Sequence, residues 1–101
     1  MGEGTKKAIL VVYDASIHEE VMEALTGSGV RSFTRFQNVT GSGRASGPHL
    51  GTHVWPATNS ALLLVVEEEE ASRVLEAVRG LRQRWLRTGV KAFCWPIETC
   101  T

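Results

Sequence analysis

Two histidines, His49 and His53, lie in a glycine-rich segment at positions 40–59 that reads TGSGRASGPHLGTHVWPATN. The nitrogen atoms of neutral imidazole rings are common ligands of transition metals, so this pair could bind a divalent metal ion. Two ligands do not complete a site, and further ones would have to come from neighbouring subunits or from Cys94 or Cys100. The sequence leaves open the alternative that both histidines are ordinary hydrogen-bonded loop residues.

The same segment has a composition that suits anion binding. Glycines allow backbone conformations in which amide N–H groups converge on an anion, and a guanidinium adds a bidentate donor for phosphate or carboxylate. The candidate anion ligands are Gly41, Gly43, Arg44 and Gly47. Trp55 could anchor the segment or stack on a nucleobase or a partner, so the candidate partner-binding residues are His49, His53 and Trp55. A simple flexible connector is the alternative that spacing alone does not exclude.

The remaining reactive side chains form no recognisable catalytic set. No motif places a serine, cysteine or aspartate beside His49 or His53, which predicts a protein that is not an enzyme. His18, near the start of a predicted helix, is interpreted as a surface residue. Cys94 alternates with Ala92 on a predicted strand and is interpreted as a small core residue.

The overall composition is that of a globular protein without a dominant charge. The chain has 101 residues, of which 43% are hydrophobic and 22% charged, and its net charge is zero. A neutral chain gives no electrostatic reason to expect nucleic acid as a partner. No apolar run is long enough to span a membrane, and residues 1–7 lack an apolar signal core. We therefore expect one cytoplasmic domain over residues 1–101, without membrane insertion and with reduced thiols.

Hydrophobic patterning predicts elements in the order β-α-β-β-α-β. Strands are predicted at residues 8–13, 30–39, 60–66 and 90–97, and the second helix at 67–86. The first helix is predicted to begin at a capping box formed by Ser16 and Glu19 and to end at Gly27. This order predicts an α+β, ferredoxin-like fold, in which two helices cover one face of a four-stranded antiparallel sheet and a long loop at 40–59 joins the second and third strands.

Two of the predicted strands, 8–13 and 60–66, are apolar at consecutive positions instead of alternating with polar residues. A strand with one face in water should alternate, so both faces of these strands should be buried. Two helices can cover only one face of the sheet. The sequence therefore predicts that the chain associates with copies of itself.

Short motifs along the chain resemble PII signal-transduction proteins. They are KKAI at the start, EEVMEAL in the first helix, GVRSFT before the second strand, GSGRASG at 41–47 and RTGVKAF at 87–93. The resemblance implies a non-enzymatic homotrimer that binds an adenine nucleotide, and in many members a small carboxylate or bicarbonate, in clefts between subunits. It adds Thr88, Gly89 and Lys91 to the candidate ligand-binding residues. It also implies that segment 40–59 is a T-loop, which docks on a transporter, an enzyme or a regulator.

The chain also departs from the pattern of that family. Ala45 and Ser46 follow Arg44 where the family has glutamine and lysine, which argues against its magnesium-dependent 2-oxoglutarate site. No tyrosine lies in segment 40–59, so tyrosine uridylylation there is excluded. The Gly-Asp-Gly sequence that cradles phosphate is missing before Lys91, and nucleotide binding is for this reason an expectation that needs its own test.

Three functions remain in view. The first is a PII-like sensor that binds a small ligand, with an adenine nucleotide as the candidate, and regulates a protein partner through segment 40–59. The second is a metal-responsive protein of the same fold that uses His49 and His53. The third is a structural oligomer whose loop contacts a partner. Response to a ligand would separate the first two from the third.

Overall fold

The computed structural model describes residues 6–40 and 58–101. Its elements are β1 (Lys6–Asp14), a single 3-10 turn (Ala15–Ile17), α1 (His18–Gly27), β2 (Thr34–Val39), β3 (Asn59–Glu67), α2 (Glu68–Arg84) and β4 (Val90–Pro96). The element order β-α-β-β-α-β confirms the sequence prediction.

The four strands form one antiparallel sheet in the order β2-β3-β1-β4. β1 is central and pairs with β3 along its whole length, from Lys6 opposite Glu67 to Asp14 opposite Asn59. β3 lies between β1 and β2, so the connection through α1 crosses over β3. In the same way β1 lies between β3 and β4, and the connection through α2 crosses over β1. This arrangement is the predicted ferredoxin-like α+β fold.

The hydrophobic core lies between the helices and one face of the sheet. From Ile9 to Tyr13 every second residue of β1 is buried on this face, with Ile9 and Val11 at 0% exposure and Tyr13 at 1%. These side chains pack against apolar residues of β3, β4 and both helices, namely Leu62, Leu64, Val66, Val90, Val21, Leu25, Val74, Val78 and Leu81. The two helices contribute residues at helical spacing, which is why their apolar positions could be predicted from the sequence.

The start of α1 differs from the sequence prediction. The predicted capping box of Ser16 and Glu19 is wrong, because residues 15–17 form a 3-10 turn and α1 begins at His18. The side chain of Asp14 accepts a hydrogen bond from the backbone N–H of Ser16 at 2.9 Å. The cap therefore belongs to the carboxylate at the end of β1, which satisfies a backbone donor of the turn.

α2 has the capping box that α1 lacks. The Glu67 side chain and the Glu70 side chain each accept a hydrogen bond from the other's backbone N–H, and Glu68, Glu69 and Glu70 place negative charge at the positive end of the helix dipole. The helix ends at Arg84, two residues before the predicted boundary at Leu86. Near that end, the Arg82 guanidinium donates to the Val90 carbonyl oxygen at 2.7 Å and joins α2 to β4.

β2 is shorter than predicted. Residues 30–33 precede the strand, which pairs with β3 from Thr34 and shifts its register between Phe36 and Val39. Asn38 lies within this irregularity and has a φ of 57°. Asparagine tolerates this left-handed conformation better than most residues, so the sequence accommodates a bulge at this point.

The second face of the sheet carries no helix among the described residues. Leu10 of β1 lies opposite Leu63 on β3 and Phe93 on β4, and these side chains share that face. The apolar residues on it that remain exposed are Phe36 at 45%, Val65 at 45%, Phe93 at 52% and Trp95 at 44%. We call this surface the open sheet face. Monomeric proteins seldom expose such a continuous apolar area, which agrees with the sequence argument for self-association.

Candidate functional site

The turn that connects α2 to β4 carries two of the predicted ligand-binding residues, Thr88 and Gly89. The backbone N–H of Thr88 donates to the Trp85 carbonyl oxygen at 3.1 Å, and the Gly89 carbonyl oxygen accepts from the backbone N–H of Asp14 at 2.9 Å. The first bond closes the turn, and the second fixes it to the C-terminal end of the central strand. A Cβ atom added at Gly89 would meet nothing within 4 Å, so there is open space beside the backbone here.

Lys91, the third of these residues, lies on β4 opposite Val12 of β1. Its side chain is exposed and stands at the same corner of the sheet as Thr88 and Gly89. The alternation of the strand places Lys91 on the open sheet face. The three predicted residues therefore adjoin one another at one corner of the sheet.

A shallow groove between α2 and β4 adds two arginines to this corner. Its lining residues are Leu75, Val78, Arg79, Arg82, Lys91, Ala92 and Phe93. Arg79 forms an ion pair with Glu76 at 3.0 Å, and Arg82 is bound to the Val90 carbonyl oxygen. Within the described part of the chain, Lys91 is the lining cation with neither an ion pair nor a hydrogen bond. The sequence gives no sign of the Arg82 bond, because a spacing of eight residues from Val90 belongs to no standard motif.

A second polar cluster lies where β1 ends and α1 begins. The Tyr13 hydroxyl and His18 Nδ1 are 2.6 Å apart, and their rings are stacked with centroids 5.7 Å apart. Arg35 of β2 and Ser60 of β3 lie near the same hydroxyl, and both lower its pKa. Tyr13 is buried and His18 is half-buried, so the interpretation of His18 as a surface residue holds for only part of its side chain.

The surroundings shift the acid–base behaviour of both rings. Burial lowers the pKa of His18 below its ordinary value of 6.5, and the charge of Arg35 lowers it further, while Glu19 opposes the shift. Burial raises the pKa of Tyr13 above 10.0, against the opposing effects of Arg35 and the Ser60 hydroxyl. At neutral pH both side chains are therefore uncharged.

The other predicted site residues lie outside the described residues. These are the anion-binding candidates Gly41, Gly43, Arg44 and Gly47 and the loop candidates His49, His53 and Trp55. The metal hypothesis for His49 and His53 thus stays a prediction. Within residues 6–40 and 58–101 no group of three or more histidine, cysteine or acidic side chains is placed to hold a metal ion. Cys94 and Cys100 are both exposed, so the interpretation of Cys94 as a core residue is wrong.

Neither of the two described helices is long and apolar enough to cross a membrane.

The family assignment comes from the sequence of almost the whole chain. The family model of the nitrogen regulatory protein P-II matches residues 6–101. The chain belongs to the P-II family. No curated protein matches it significantly.

Solved structures of other PII-like proteins share this fold. CPII from Thiomonas intermedia K12, bound to ADP, AMP and acetate, matches with a TM-score of 0.70 and 18% identity, covering 93% of this chain and 87% of CPII. CPII bound to ADP, AMP and bicarbonate matches with a TM-score of 0.69 and 17% identity, covering 91% and 89%. A protein from Thermus thermophilus described as PII-like matches with a TM-score of 0.63 and 20% identity, covering 94% and 90%. At these identities the likeness establishes the fold of this P-II family member.

Proposed function

We propose that this P-II family member is a non-catalytic sensor that binds an adenine nucleotide, or another small anion, in clefts between the subunits of a homotrimer. Binding regulates a protein partner through segment 40–59, the T-loop of the family. The observation that carries the proposal is the family match over residues 6–101.

The corner formed by Thr88, Gly89 and Lys91 supports the choice of an anionic ligand. The ammonium of Lys91 has no partner among the described residues, and the open space beside Gly89 leaves room for a ligand near the turn. The similar protein CPII is described as bound to ADP and AMP together with acetate or bicarbonate. An unpaired cation next to an open turn is suited to a phosphate or carboxylate group.

The open sheet face supports the trimer. Exposed Phe36, Val65, Phe93 and Trp95 would be buried if three sheets packed against one another. Lys91 lies on this same face, so association would bring a neighbouring subunit close to the proposed anion site. This gives a physical reason why ligand binding and assembly would depend on each other.

Isothermal titration calorimetry with ATP, ADP and AMP tests the ligand. Lys91→Ala should weaken binding by about 1.5–3 kcal/mol, at least tenfold in Kd, because it removes a charge-assisted hydrogen bond. The matched control is Arg84→Ala, an exposed cation on α2 outside the groove, which should leave Kd unchanged. Absence of binding by all three nucleotides at millimolar concentration would overturn the nucleotide assignment. The nucleotide should be recovered unchanged by chromatography, and turnover would overturn the non-catalytic role.

A further inference from the structure

The Tyr13–His18 pair lies where four elements meet. Tyr13 is the penultimate residue of β1, His18 is the first residue of α1, Arg35 belongs to β2, and Ser60 is the second residue of β3. Arg35 is opposite Leu62 in the β2–β3 register, which places its side chain on the helix-facing side of the sheet with Tyr13. One cluster thus joins the start of α1 to the edge strand β2.

We propose that His18 is a proton-operated contact: when neutral it accepts a hydrogen bond from Tyr13 beside Arg35, and when protonated it repels Arg35 and loosens β2 from β3. The contact is a regulatory device within the fold and does not depend on the nucleotide proposal.

Protonation of His18 must reverse the direction of its hydrogen bond with Tyr13. A neutral imidazole whose Nδ1 is an acceptor can accept a hydrogen bond from the Tyr13 O–H at the observed 2.6 Å. After protonation Nδ1 carries a hydrogen, so the Tyr13 oxygen must accept this hydrogen bond and the Tyr13 O–H must turn to another acceptor. The hydrogen bond reverses without breaking the ring contact.

The charges around His18 favour its neutral form. From β2 the Arg35 guanidinium opposes an imidazolium, and from α1 Glu19 favours one. The Tyr13 hydroxyl of β1 is neutral below pH 10, and the Ser60 hydroxyl of β3 carries no charge. Burial and Arg35 outweigh Glu19, since the pKa of His18 lies below its ordinary value. Protonation therefore adds a second positive charge to a cluster that already contains Arg35, and Arg35 opposes it.

Of the elements that meet here, β2 is the one held least firmly. Within residues 6–40 and 58–101 it is an edge strand whose only partner is β3, and its residues are exposed apart from the half-buried Val39. Its pairing is interrupted between Phe36 and Val39. β1 and β3, in contrast, are paired along nine residues each and supply the core. A repulsion of modest size at Arg35 should therefore open β2 before it affects the rest of the sheet.

Amide hydrogen exchange of residues 34–39 between pH 7.5 and pH 5 tests the proposal, after correction for the intrinsic pH dependence of exchange. In the original protein, the protection of these amides should fall several-fold once the pH drops below about 6.5, because His18 is then protonated. Protection in β1 should stay unchanged. His18→Gln, which cannot take up a proton, should make the protection of β2 independent of pH. Glu23→Gln, at an exposed position of the same helix, is the matched control and should retain the full pH response.

Arg35→Met provides a second variant that leaves the Tyr13–His18 pair intact. It removes the charge but keeps an apolar stem, so the pH response of β2 should shrink and the pKa of His18, followed by NMR, should rise. A flat response in the original protein would overturn the proposal. An unchanged response in either His18→Gln or Arg35→Met would do so too, because the fall in protection would then come from other groups.

Discussion

Asp14 shows how one carboxylate redirects the chain at the end of a strand. Its backbone N–H donates to the Gly89 carbonyl oxygen, and its side chain accepts from the N–H of Ser16. The sequence pattern Ser-x-x-Glu suggested a capping box at Ser16, but an aspartate two residues earlier competes for the same role. The short 3-10 turn that follows delays α1 until His18 and so brings that imidazole onto Tyr13.

Removal of the Asp14 side chain should destabilise the protein more than removal of the Ser16 hydroxyl. Asp14→Ala should lower the free energy of unfolding by about 1 kcal/mol, since it deletes the cap of the turn. Ser16→Ala is the matched control, because the exposed Ser16 side chain caps nothing in this arrangement. Urea unfolding followed by circular dichroism measures both. A larger loss for Ser16→Ala would restore the capping box predicted from sequence.

Tyr13 offers a pH dependence that can be read without interference, because it is the single tyrosine of the chain. Burial raises its pKa above the ordinary value of 10.0. A folded pKa above the unfolded one means that the contribution of Tyr13 to stability is complete below pH 10 and is lost as the pH rises through the folded pKa. Tyr13→Phe should remove that part of the alkaline loss.

Ultraviolet titration of tyrosinate absorbance, in native buffer and in urea, checks the prediction for Tyr13. The midpoint in native buffer should lie at the higher pH. Coincident midpoints would contradict the prediction, because they would mean that folding does not change the pKa of Tyr13.

At the scale of elements, the sequence predicted best where one physical effect dominates. β1, β3 and α2 are long apolar or strongly periodic stretches, and their observed bounds lie within a few residues of the prediction. β2 was predicted too long because β-prone residues continue back to Val30, although hydrogen-bond partners on β3 begin only at Thr34. Strand propensity does not reveal where a partner strand ends.

One part of the candidate site could be predicted from the sequence. Thr88, Gly89 and Lys91 are neighbours in sequence, so a resemblance was enough to group them. The Tyr13–His18–Arg35–Ser60 cluster was not predicted, because its members come from four elements and meet only through the order of the strands. Within the sequence, the one hint of this cluster is that Tyr13 and His18 are five residues apart, and this spacing belongs to no standard motif.

The bond from Arg82 to the Val90 carbonyl oxygen ties α2 to the edge strand β4, and its loss should weaken that contact. Arg82→Met keeps most of the stem and removes the donor, which should cost about 1 kcal/mol of the free energy of unfolding. Arg84→Met is the control, since Arg84 is exposed and forms no such bond among the described residues. Hydrogen exchange should locate the effect in β4. Equal losses in the two variants would show that general charge removal, and not this bond, is responsible.

For the whole molecule, the exposed apolar residues of the open sheet face are the reason to expect the proposed trimer. Light scattering after size exclusion should give about three times the chain mass of 11.1 kDa at micromolar concentration. Phe93→Asp places a charge among apolar residues of the face and should shift the protein to monomers.

The matched control for assembly is Gln83→Asp, which adds the same charge at an exposed position of α2. It should leave the mass unchanged. A monomeric original protein at micromolar concentration would contradict the trimer, and so would a Phe93→Asp variant that folds and keeps the same mass as the original.

The irregularity in β2 has a consequence for solubility. An edge strand offers free backbone donors and acceptors to any other chain, and a straight one can recruit further strands without limit. The register shift between Phe36 and Val39 and the left-handed backbone of Asn38 interrupt that row of groups on the outermost strand of the sheet. The bulge therefore discourages open-ended, fibril-like growth along the edge of the sheet, and it leaves the open sheet face free for the proposed trimer.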